Sequence, residues 1–174
     1  MFDGINGFES ASLEEAIKYN ETAPRRVVGI SVETRPDWVT AEEIKLWRSM
    51  GVTKVQLGVQ AFDEEVMKKI KRGHSLEAVA KATKLCRDAG LKICYHLMPN
   101  LPGSDPEKDI ESARLMYSDP RFGPDFLKIY PAMVIPGTEL DEMYRRGEYQ
   151  SYAEEKLKKV CLLYTSDAAD DTPC

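Results

Sequence analysis

The sequence predicts an α/β fold whose parallel strands form part of a TIM-like barrel. Short apolar segments alternate with helical segments along the chain, which is typical of parallel strands joined by right-handed crossovers. Every predicted strand ends on polar side chains. In a doubly wound sheet the site lies only where the strand order reverses, so polar residues at all strand ends favour a barrel. The predicted strands are Val27–Glu33, Lys54–Val59, Leu91–His96 and Phe126–Tyr130.

Helices fill the gaps between these strands. Side chains typical of helix N-caps precede four helical segments: Ser12, Thr40, Asp63 and Ser75. Glycines that typically end helices follow two of them: Gly51 and Gly90. The predicted helices span residues 12–22, 40–50, 63–70, 75–89, 107–117 and 139–146, the last being the final helix. A complete eight-stranded barrel needs about 200–250 residues, so these 174 residues are expected to form a partial one.

Composition restricts the class of protein. With 174 residues and 43% hydrophobic content, the chain has the material for one domain with a core. A formal net charge of −5 argues against a nucleic-acid footprint over the whole surface and is compatible with a local basic patch. No apolar run approaches about 18 residues, so no membrane span is expected. The four cysteines show no CxxC pair, which fits a cytoplasmic protein without a structural metal site.

Two strand-end residues, Glu33 and Gln60, are candidates for binding a sugar. A carboxylate such as Glu33 accepts hydrogen bonds from both hydroxyls of a ribose diol, and the amide of Gln60 offers a donor and an acceptor. The structural alternatives are a salt bridge from Glu33 to Arg35 and a hydrogen bond from Gln60 to a loop backbone. Their position on adjacent strands favours a binding site.

Four further side chains have both a chemical and a structural interpretation. Arg72 either donates two parallel hydrogen bonds to a ligand carboxylate or is a solvated cation at the C-terminus of a helix. The nearby His74 is interpreted as a structural helix-terminal residue. His96 either titrates near neutrality or fixes the loop that follows it. Lys128 and Tyr130 point to the same side of one strand, and Lys128 is interpreted either as a functional buried cation or as an ion-pair partner of Glu33.

Several sequence blocks resemble the radical S-adenosylmethionine (radical SAM) core of the Elongator catalytic subunit family. The resemblance covers Phe2 to Lys159 and includes the KIYP and GEYQSY blocks. Its most specific blocks, in this order, are ETRPD, GVQ, RGH and MPNLPG. The oxygen-independent coproporphyrinogen oxidase group is the alternative radical SAM family, since it shares GVQ and a downstream R-x-H. It lacks the combination of ETRPD with KIYP.

The resemblance implies a partial (βα)6 barrel in which a 4Fe–4S cluster reductively cleaves S-adenosylmethionine. The resulting 5′-deoxyadenosyl radical would activate the acetyl group of acetyl-CoA for addition to C5 of the wobble uridine of tRNA. Glu33 and Gln60 would contact the ribose of S-adenosylmethionine, and Arg72 its carboxylate. Catalytic positions near cluster, cofactor or substrate would be His96, Lys128 and Tyr130. Partners would be tRNA and either Elongator-like subunits or a second copy of the chain.

The chain also departs from the family pattern. The three-cysteine cluster motif, the glycine-rich strand that binds the methionine amine and the acetyltransferase domain have no counterpart in these residues. Cys86 falls in a predicted helix and Cys94 in a predicted strand, so neither replaces the motif. We therefore expect residues 1–160 to be the second half of the barrel, without a cluster and inactive alone. The alternatives are a half barrel that only binds tRNA or a partner, and a fragment without independent function.

The last fourteen residues form a separate segment. Residues 161–174 begin with CLLYTSDAAD, which matches codon by codon the translation of a transposase-type sequencing adapter. The sequence therefore predicts a non-native tail here, which removes Cys161 and Cys174 from any redox argument. An ordinary disordered tail is the alternative.

Overall fold

The computed structural model describes residues 1–170, with side chains described up to residue 163. Four strands alternate with eight α-helices and one 3₁₀ turn, Pro36–Trp38, in this part of the chain. In chain order the helices and strands are α1 (Phe2–Asn6), α2 (Leu13–Asn20), β1 (Ser31–Thr34), α3 (Ala41–Ser49), β2 (Lys54–Gln60), α4 (Glu64–Lys69), α5 (Leu76–Asp88), β3 (Lys92–Leu97), α6 (Pro106–Ser118), β4 (Phe126–Ile129), α7 (Glu139–Arg145) and α8 (Glu154–Asp170).

The four strands form one parallel sheet in the order β1-β2-β3-β4, which confirms the predicted parallel arrangement. In the register, Glu33 lies opposite Gln56, Gln56 lies opposite Cys94, and His96 lies opposite Lys128. Because all four strands run the same way, their carboxyl ends meet at one edge of the sheet. The predicted site residues therefore converge on that edge.

The two faces of the sheet differ in chemistry. Side chains alternate between faces along each strand. The outer face packs against α3, α5 and α6 through buried apolar side chains of the strands: Val55, Leu57, Val59, Ile93, Tyr95 and Leu97. The inner face carries the alternate residues: Ser31, Glu33, Lys54, Gln56, Gly58, Cys94, His96, Phe126 and Lys128. The outer face thus holds the core, and the inner face carries most of the polar side chains of the sheet.

The predicted helix starts are confirmed. The side chains of Ser12, Thr40 and Ser75 each accept a hydrogen bond from the backbone N–H three residues later, and Asp63 caps α4 in the same way. Gly90 follows α5 with φ of 69°, in the left-handed region that glycine adopts without strain. Local capping chemistry therefore fixes where these helices begin and end.

The structure differs from the predicted elements in three places. β1 begins at Ser31 rather than Val27, because the Asn20 side chain binds both backbone groups of Val27 and Val28 is 92% exposed. Helix α1 was not predicted. The helix predicted over 139–146 is confirmed as α7, but it is not the final one, since α8 follows it and packs against α6.

The predicted boundary at residue 160 falls inside α8, which continues without interruption to Asp170. Residues 171–174 of the predicted tail, including Cys174, lie outside the described residues. The non-native origin of residues 161–174 stays a prediction. Among the helices of the described chain, none combines the length and the apolar character needed to cross a membrane.

Candidate functional site

A chain of polar contacts crosses the inner face of the sheet. Gln56 Nε2 donates to Ser31 Oγ over 2.8 Å, and Gln56 Oε1 lies 3.0 Å from His96 Nε2. On its other side, His96 Nδ1 lies 3.3 Å from Glu33 Oε1. The His96 side chain is 8% exposed and that of Glu33 is 60% exposed. The structure thus brings the predicted residues Glu33 and His96 together.

Burial lowers the pKa of His96 below its ordinary value. Glu33 opposes this shift by favouring the charged imidazole, while the positive charge of Lys128 reinforces it. Desolvation penalises the charged form of a buried histidine. The ring is therefore neutral at neutral pH, despite its carboxylate neighbour.

Lys128 and Tyr130 flank this histidine. Lys128 is half-buried and opposite His96 in the β3–β4 register. The Tyr130 ring packs edge-on against the imidazole, with centroids 5.8 Å apart, and is 51% exposed. Within residues 1–163 no carboxylate forms an ion pair with Lys128, so the alternative pair with Glu33 is not formed. The cation is available to a ligand on the inner face.

The alternative pairing of Glu33 with Arg35 is not formed either. Arg35 Nε and Nη2 instead hold the two carboxylate oxygens of Asp37 at 3.0 and 2.7 Å. Burial is the largest influence on the pKa of Asp37 and would raise it, but the hydrogen bonds from Arg35, a backbone hydrogen bond and the positive charges nearby together lower that pKa. Glu33 is therefore free of Arg35 and faces the inner side of the sheet.

Arg72 reaches from the end of α4 to the carboxyl end of β2. Its Nε and Nη2 both donate to the carbonyl oxygen of Gly58, over 3.2 and 2.7 Å. Burial lowers the pKa of Arg72, and the nearby Arg35 adds to this shift. No carboxylate among the described side chains forms an ion pair with it. A half-buried guanidinium that has no ion-pair partner among the described side chains, and whose Nη1 edge is unused, suits an anionic ligand.

Gly58 makes room for this arginine. A Cβ atom at Gly58 would lie 2.4 Å from Arg72 Nη2 and 3.2 Å from Gln60 Nε2. Gln60, the next predicted residue, has φ of 78°, a left-handed conformation that is uncommon outside glycine, at a register shift between β2 and β3. Non-glycine residues in this region concentrate at functional sites.

His74 is buried next to this region, at 9% exposure, and neither ring nitrogen has a hydrogen-bond partner among the described residues. Burial lowers its pKa. It immediately precedes Ser75, the N-cap of α5, which agrees with the structural interpretation of its position.

The loops beyond β3 and β4 are held by Asn100, which sequence reasoning missed. Its backbone is left-handed, with φ of 70°, and its N–H donates to Asp109. Its side chain donates to Ala132 O and accepts from Tyr152 N, while Tyr149 donates to its carbonyl. The only sequence signal was that Asn100 lies in the MPNLPG block and the two tyrosines in the GEYQSY block.

The described cysteines do not fit a 4Fe–4S cluster. Cys86 is buried in α5 on the outer side of the sheet, and Cys94 is buried on the inner face. Burial raises the pKa of Cys86 to about 11 and also raises that of Cys94, whereas a cluster is held by thiolates. No group of three or more potential metal ligands occurs among the described residues.

Comparison with known families decides the affiliation. The profile of the radical SAM superfamily matches residues 7–116. The chain belongs to the radical SAM superfamily. A profile of the radical SAM C-terminal domain matches residues 124–168 of the same radical SAM chain.

Curated relatives confirm the predicted resemblance to the Elongator family. The tRNA uridine(34) acetyltransferase of Methanocaldococcus jannaschii is 50% identical over 158 residues, covering 91% of this radical SAM chain and 29% of the relative. Elongator complex protein 3 of Homo sapiens is 38% identical over 160 residues, covering 92% and 29%. The chain therefore spans less than a third of the length of these relatives.

Solved structures confirm the predicted fold class. The Methanocaldococcus infernus Elp3 with an N-terminal deletion superposes with a TM-score of 0.87 at 47% identity, covering 99% of this chain and 39% of that one. Coproporphyrinogen III oxidase from Escherichia coli, of the alternative family, gives a TM-score of 0.66 at 16% identity, covering 92% and 38%. That second similarity concerns the fold alone. The predicted partial radical SAM barrel is confirmed.

Proposed function

We propose that this radical SAM chain supplies the nucleoside-binding wall of an enzyme that adds a carboxymethyl-type group to C5 of uridine 34 in tRNA. The proposal is supported by relatives named for tRNA uridine(34) acetylation. The observation that carries it is Arg72, a half-buried cation at the carboxyl edge of the sheet that has no ion-pair partner among the described side chains. A zwitterionic ligand such as S-adenosylmethionine would bring the missing carboxylate.

Three inner-edge residues would hold S-adenosylmethionine. Arg72 would donate its unused Nη1 edge to the carboxylate of the methionine part. Glu33 and Gln60 would bind the ribose, since Glu33 is an exposed acceptor and Gln60 offers both a donor and an acceptor. The absence of a side chain at Gly58 leaves the space between Arg72 and Gln60 that this arrangement needs.

The catalytic residues would be His96, Lys128 and Tyr130. With a 4Fe–4S cluster held elsewhere in the enzyme, S-adenosylmethionine would supply the radical chemistry that activates the acetyl group of acetyl-CoA. Lys128 would place a positive charge beside the acyl carbonyl or a phosphate of this co-substrate. His96 and Tyr130 would order the polar groups around it through their edge-on contact.

The described cysteines do not fit a cluster, so we propose that these 174 residues alone form none and carry out no radical chemistry. Reconstitution with iron and sulfide is expected to give no visible cluster absorbance. Stable absorbance that survives desalting would contradict this. Further proposals are a cytoplasmic location, tRNA as the partner, and either Elongator-like subunits or a second copy of the chain.

The binding proposal is tested by titrating S-adenosylmethionine into the chain and into Arg72→Gln and Arg72→Lys variants. Charged hydrogen bonds contribute about 1.5–3 kcal/mol, so Arg72→Gln is expected to weaken binding about ten- to hundredfold. Arg72→Lys keeps the charge but loses the fork and is expected to fall between. Arg114→Gln, on the exposed side of α6, is the control. No binding to the unaltered chain, or equal binding to Arg72→Gln, would refute the proposal.

A further inference from the structure

Arg35 and Asp37 join two loops at the carboxyl edge of the sheet. Arg35 directly follows β1 and precedes the 3₁₀ turn Pro36–Trp38, which packs against α5. Its Nε and Nη2 hold both carboxylate oxygens of Asp37, and Nη2 also donates to the carbonyl oxygen of Gly73 over 3.5 Å. Because Nη2 carries two hydrogens, it serves both acceptors. Arg35 thus connects the loop after β1 to the loop between α4 and α5, which carries Arg72.

The loop that carries Arg72, residues 71–74, has an uncommon backbone conformation. Lys71 and Gly73 both have left-handed φ values, of 54° and 77°, and a lysine keeps such a conformation only where its surroundings hold it. The N–H groups of Lys71 and Arg72 donate to carbonyl oxygens of α4. Among the described side chains outside the loop, only that of Arg35 donates to a carbonyl oxygen of the loop. The position of the chain directly after Arg72 therefore depends on Arg35.

Arg35 and Asp37 also act on the charge of Arg72. Burial is the largest influence on the pKa of Arg72 and lowers it, Arg35 lowers it further, and Asp37 raises it. Asp37 therefore offsets the repulsion between the two guanidinium groups. The absence of a side chain at Gly73 permits the close approach of Arg35, since a Cβ there would lie 3.3 Å from Arg35 Nη2.

We propose that Arg35 and Asp37 are positioning residues for Arg72. Asp37 fixes the plane of the Arg35 guanidinium, and Arg35 holds the carbonyl of Gly73, so that Arg72 keeps its unused Nη1 edge directed at the carboxylate of a ligand. The inference rests on the proposed function in that Arg72 binds the carboxylate of S-adenosylmethionine. It goes further by making the ETRPD block responsible for selecting ligands that carry this carboxylate.

A positioning role and a purely electrostatic role predict different results for two substitutions. Asp37→Asn removes a negative charge near Arg72, which by charge alone would strengthen the binding of a carboxylate, whereas loss of positioning would weaken it. Arg35→Lys keeps the positive charge but cannot hold both carboxylate oxygens of Asp37. By charge alone its affinity would not change, and by loss of positioning it would fall.

The experiment is a titration of the full chain and of these two variants with S-adenosylmethionine and with 5′-methylthioadenosine, which lacks the methionine carboxylate. Both variants are expected to bind S-adenosylmethionine about three- to tenfold more weakly and 5′-methylthioadenosine with unchanged affinity. Asp119→Asn is the matched control, because Asp119 accepts the same bidentate contact from Arg121, two residues away at the end of α6. It should bind both ligands as the unaltered chain does.

Two results of this titration would overturn the inference. One is unchanged or tighter binding of S-adenosylmethionine to Asp37→Asn. The other is an equal loss of affinity for both ligands, which would indicate a general structural role. In either case, weaker binding of S-adenosylmethionine to Arg72→Gln would leave the proposed function intact.

A second measurement needs no ligand. Arg72 Nε donates to Gly58 O, so NMR of the arginine side chains should show its Nε–H protected from exchange with water in the unaltered chain. We expect faster exchange in Asp37→Asn and Arg35→Lys, and no change in Asp119→Asn. The variants should remain folded with nearly unchanged urea midpoints, because the Arg35 and Asp37 side chains are 42% and 30% exposed. Full protection of Arg72 in both variants would overturn the inference whether or not the chain binds S-adenosylmethionine.

Discussion

The two faces of the sheet are built from the same strands and serve different ends. On the outer face, Leu57 and Tyr95 are fully buried, and the polar atom that Tyr95 carries is paired with Thr83. On the inner face, Gln56 and His96 form polar contacts beside the exposed carboxylate of Glu33. Residues adjacent in sequence therefore differ in whether they pack in the core or present polar groups on the inner face. Neighbouring substitutions can separate the two roles.

The largest expected difference is in stability, between Leu57→Ala and Gln56→Ala. Leu57 is fully buried in the outer-face core, so its truncation is expected to cost about 2–5 kcal/mol of unfolding free energy. Gln56 loses hydrogen bonds on a partly exposed face, which is expected to cost about 0.5–1.5 kcal/mol. Urea denaturation of the two variants measures this. Equal losses would mean that the inner face contributes to the core as much as the outer face does.

At Gly58, in contrast to Leu57, a substitution is expected to weaken ligand binding more than it lowers stability. A Cβ there would lie 2.4 Å from Arg72 Nη2, the far end of a flexible side chain, so Gly58→Ala should displace Arg72 at little cost in stability. We expect at least about tenfold weaker binding of S-adenosylmethionine, measured by titration. Gly4→Ala is the control, since no atom lies within 4 Å of a Cβ at Gly4. Unchanged affinity in Gly58→Ala would remove Arg72 from the binding site.

The outer face was largely predictable from sequence because its signals are local. Apolar runs located all four strands, and the capping side chains of Ser12, Thr40 and Ser75 located helix starts, since each needs only neighbours within one turn. The start of β1 was misplaced because Val27 and Val28 are apolar but are bound by Asn20 or exposed. An apolar run alone does not show which residues find a partner strand.

The inner face was predicted only in part because its contacts are diagonal between strands. Glu33 and His96 are predicted as site residues because each lies near the end of a strand. That they lie next to each other depends on the register of β1, β2 and β3, which the sequence does not show. Gln56 was missed because it lies within β2 rather than at its end. Alternation along β2 places it on the same face as Glu33, and that signal becomes usable once the register is known. The left-handed backbone of Gln60 had no sequence signal.

A smaller difference is expected between two tyrosines that lie on opposite sides of the sheet. The Thr83 hydroxyl donates to Val79 O, so the Tyr95 hydroxyl is the donor in their shared contact. Tyr95→Phe leaves the buried Thr83 oxygen without this donor and should cost about 1 kcal/mol. Tyr130→Phe, at a half-exposed ring, should stay within about 0.5 kcal/mol. Thermal unfolding of both variants compares them, and a larger loss for Tyr130→Phe would contradict the assignment of the faces.

The smallest expected effect is a dependence of stability on pH, and it should come from the two histidines. Burial lowers the folded-state pKa of both His96 and His74, the two histidines of the chain. The unfolded chain therefore binds protons at a higher pH than the folded one, and stability should fall as pH drops from the ordinary histidine pKa of about 6.5 through the lowered values. The outer-face groups Cys86 and Tyr95 have pKa values of about 11 and about 12, far from this window.

The contributions of the two histidines to this pH dependence can be separated by urea denaturation above and below the window. The proteins to compare are the unaltered chain, His74→Gln, His96→Gln and the double variant. Each single variant should lose part of the pH dependence and the double variant most of it, because neither histidine can then take up a proton on unfolding. A double variant with the full pH dependence would contradict its assignment to the histidines; Asp109 could not account for it, because its raised pKa gives the opposite sign.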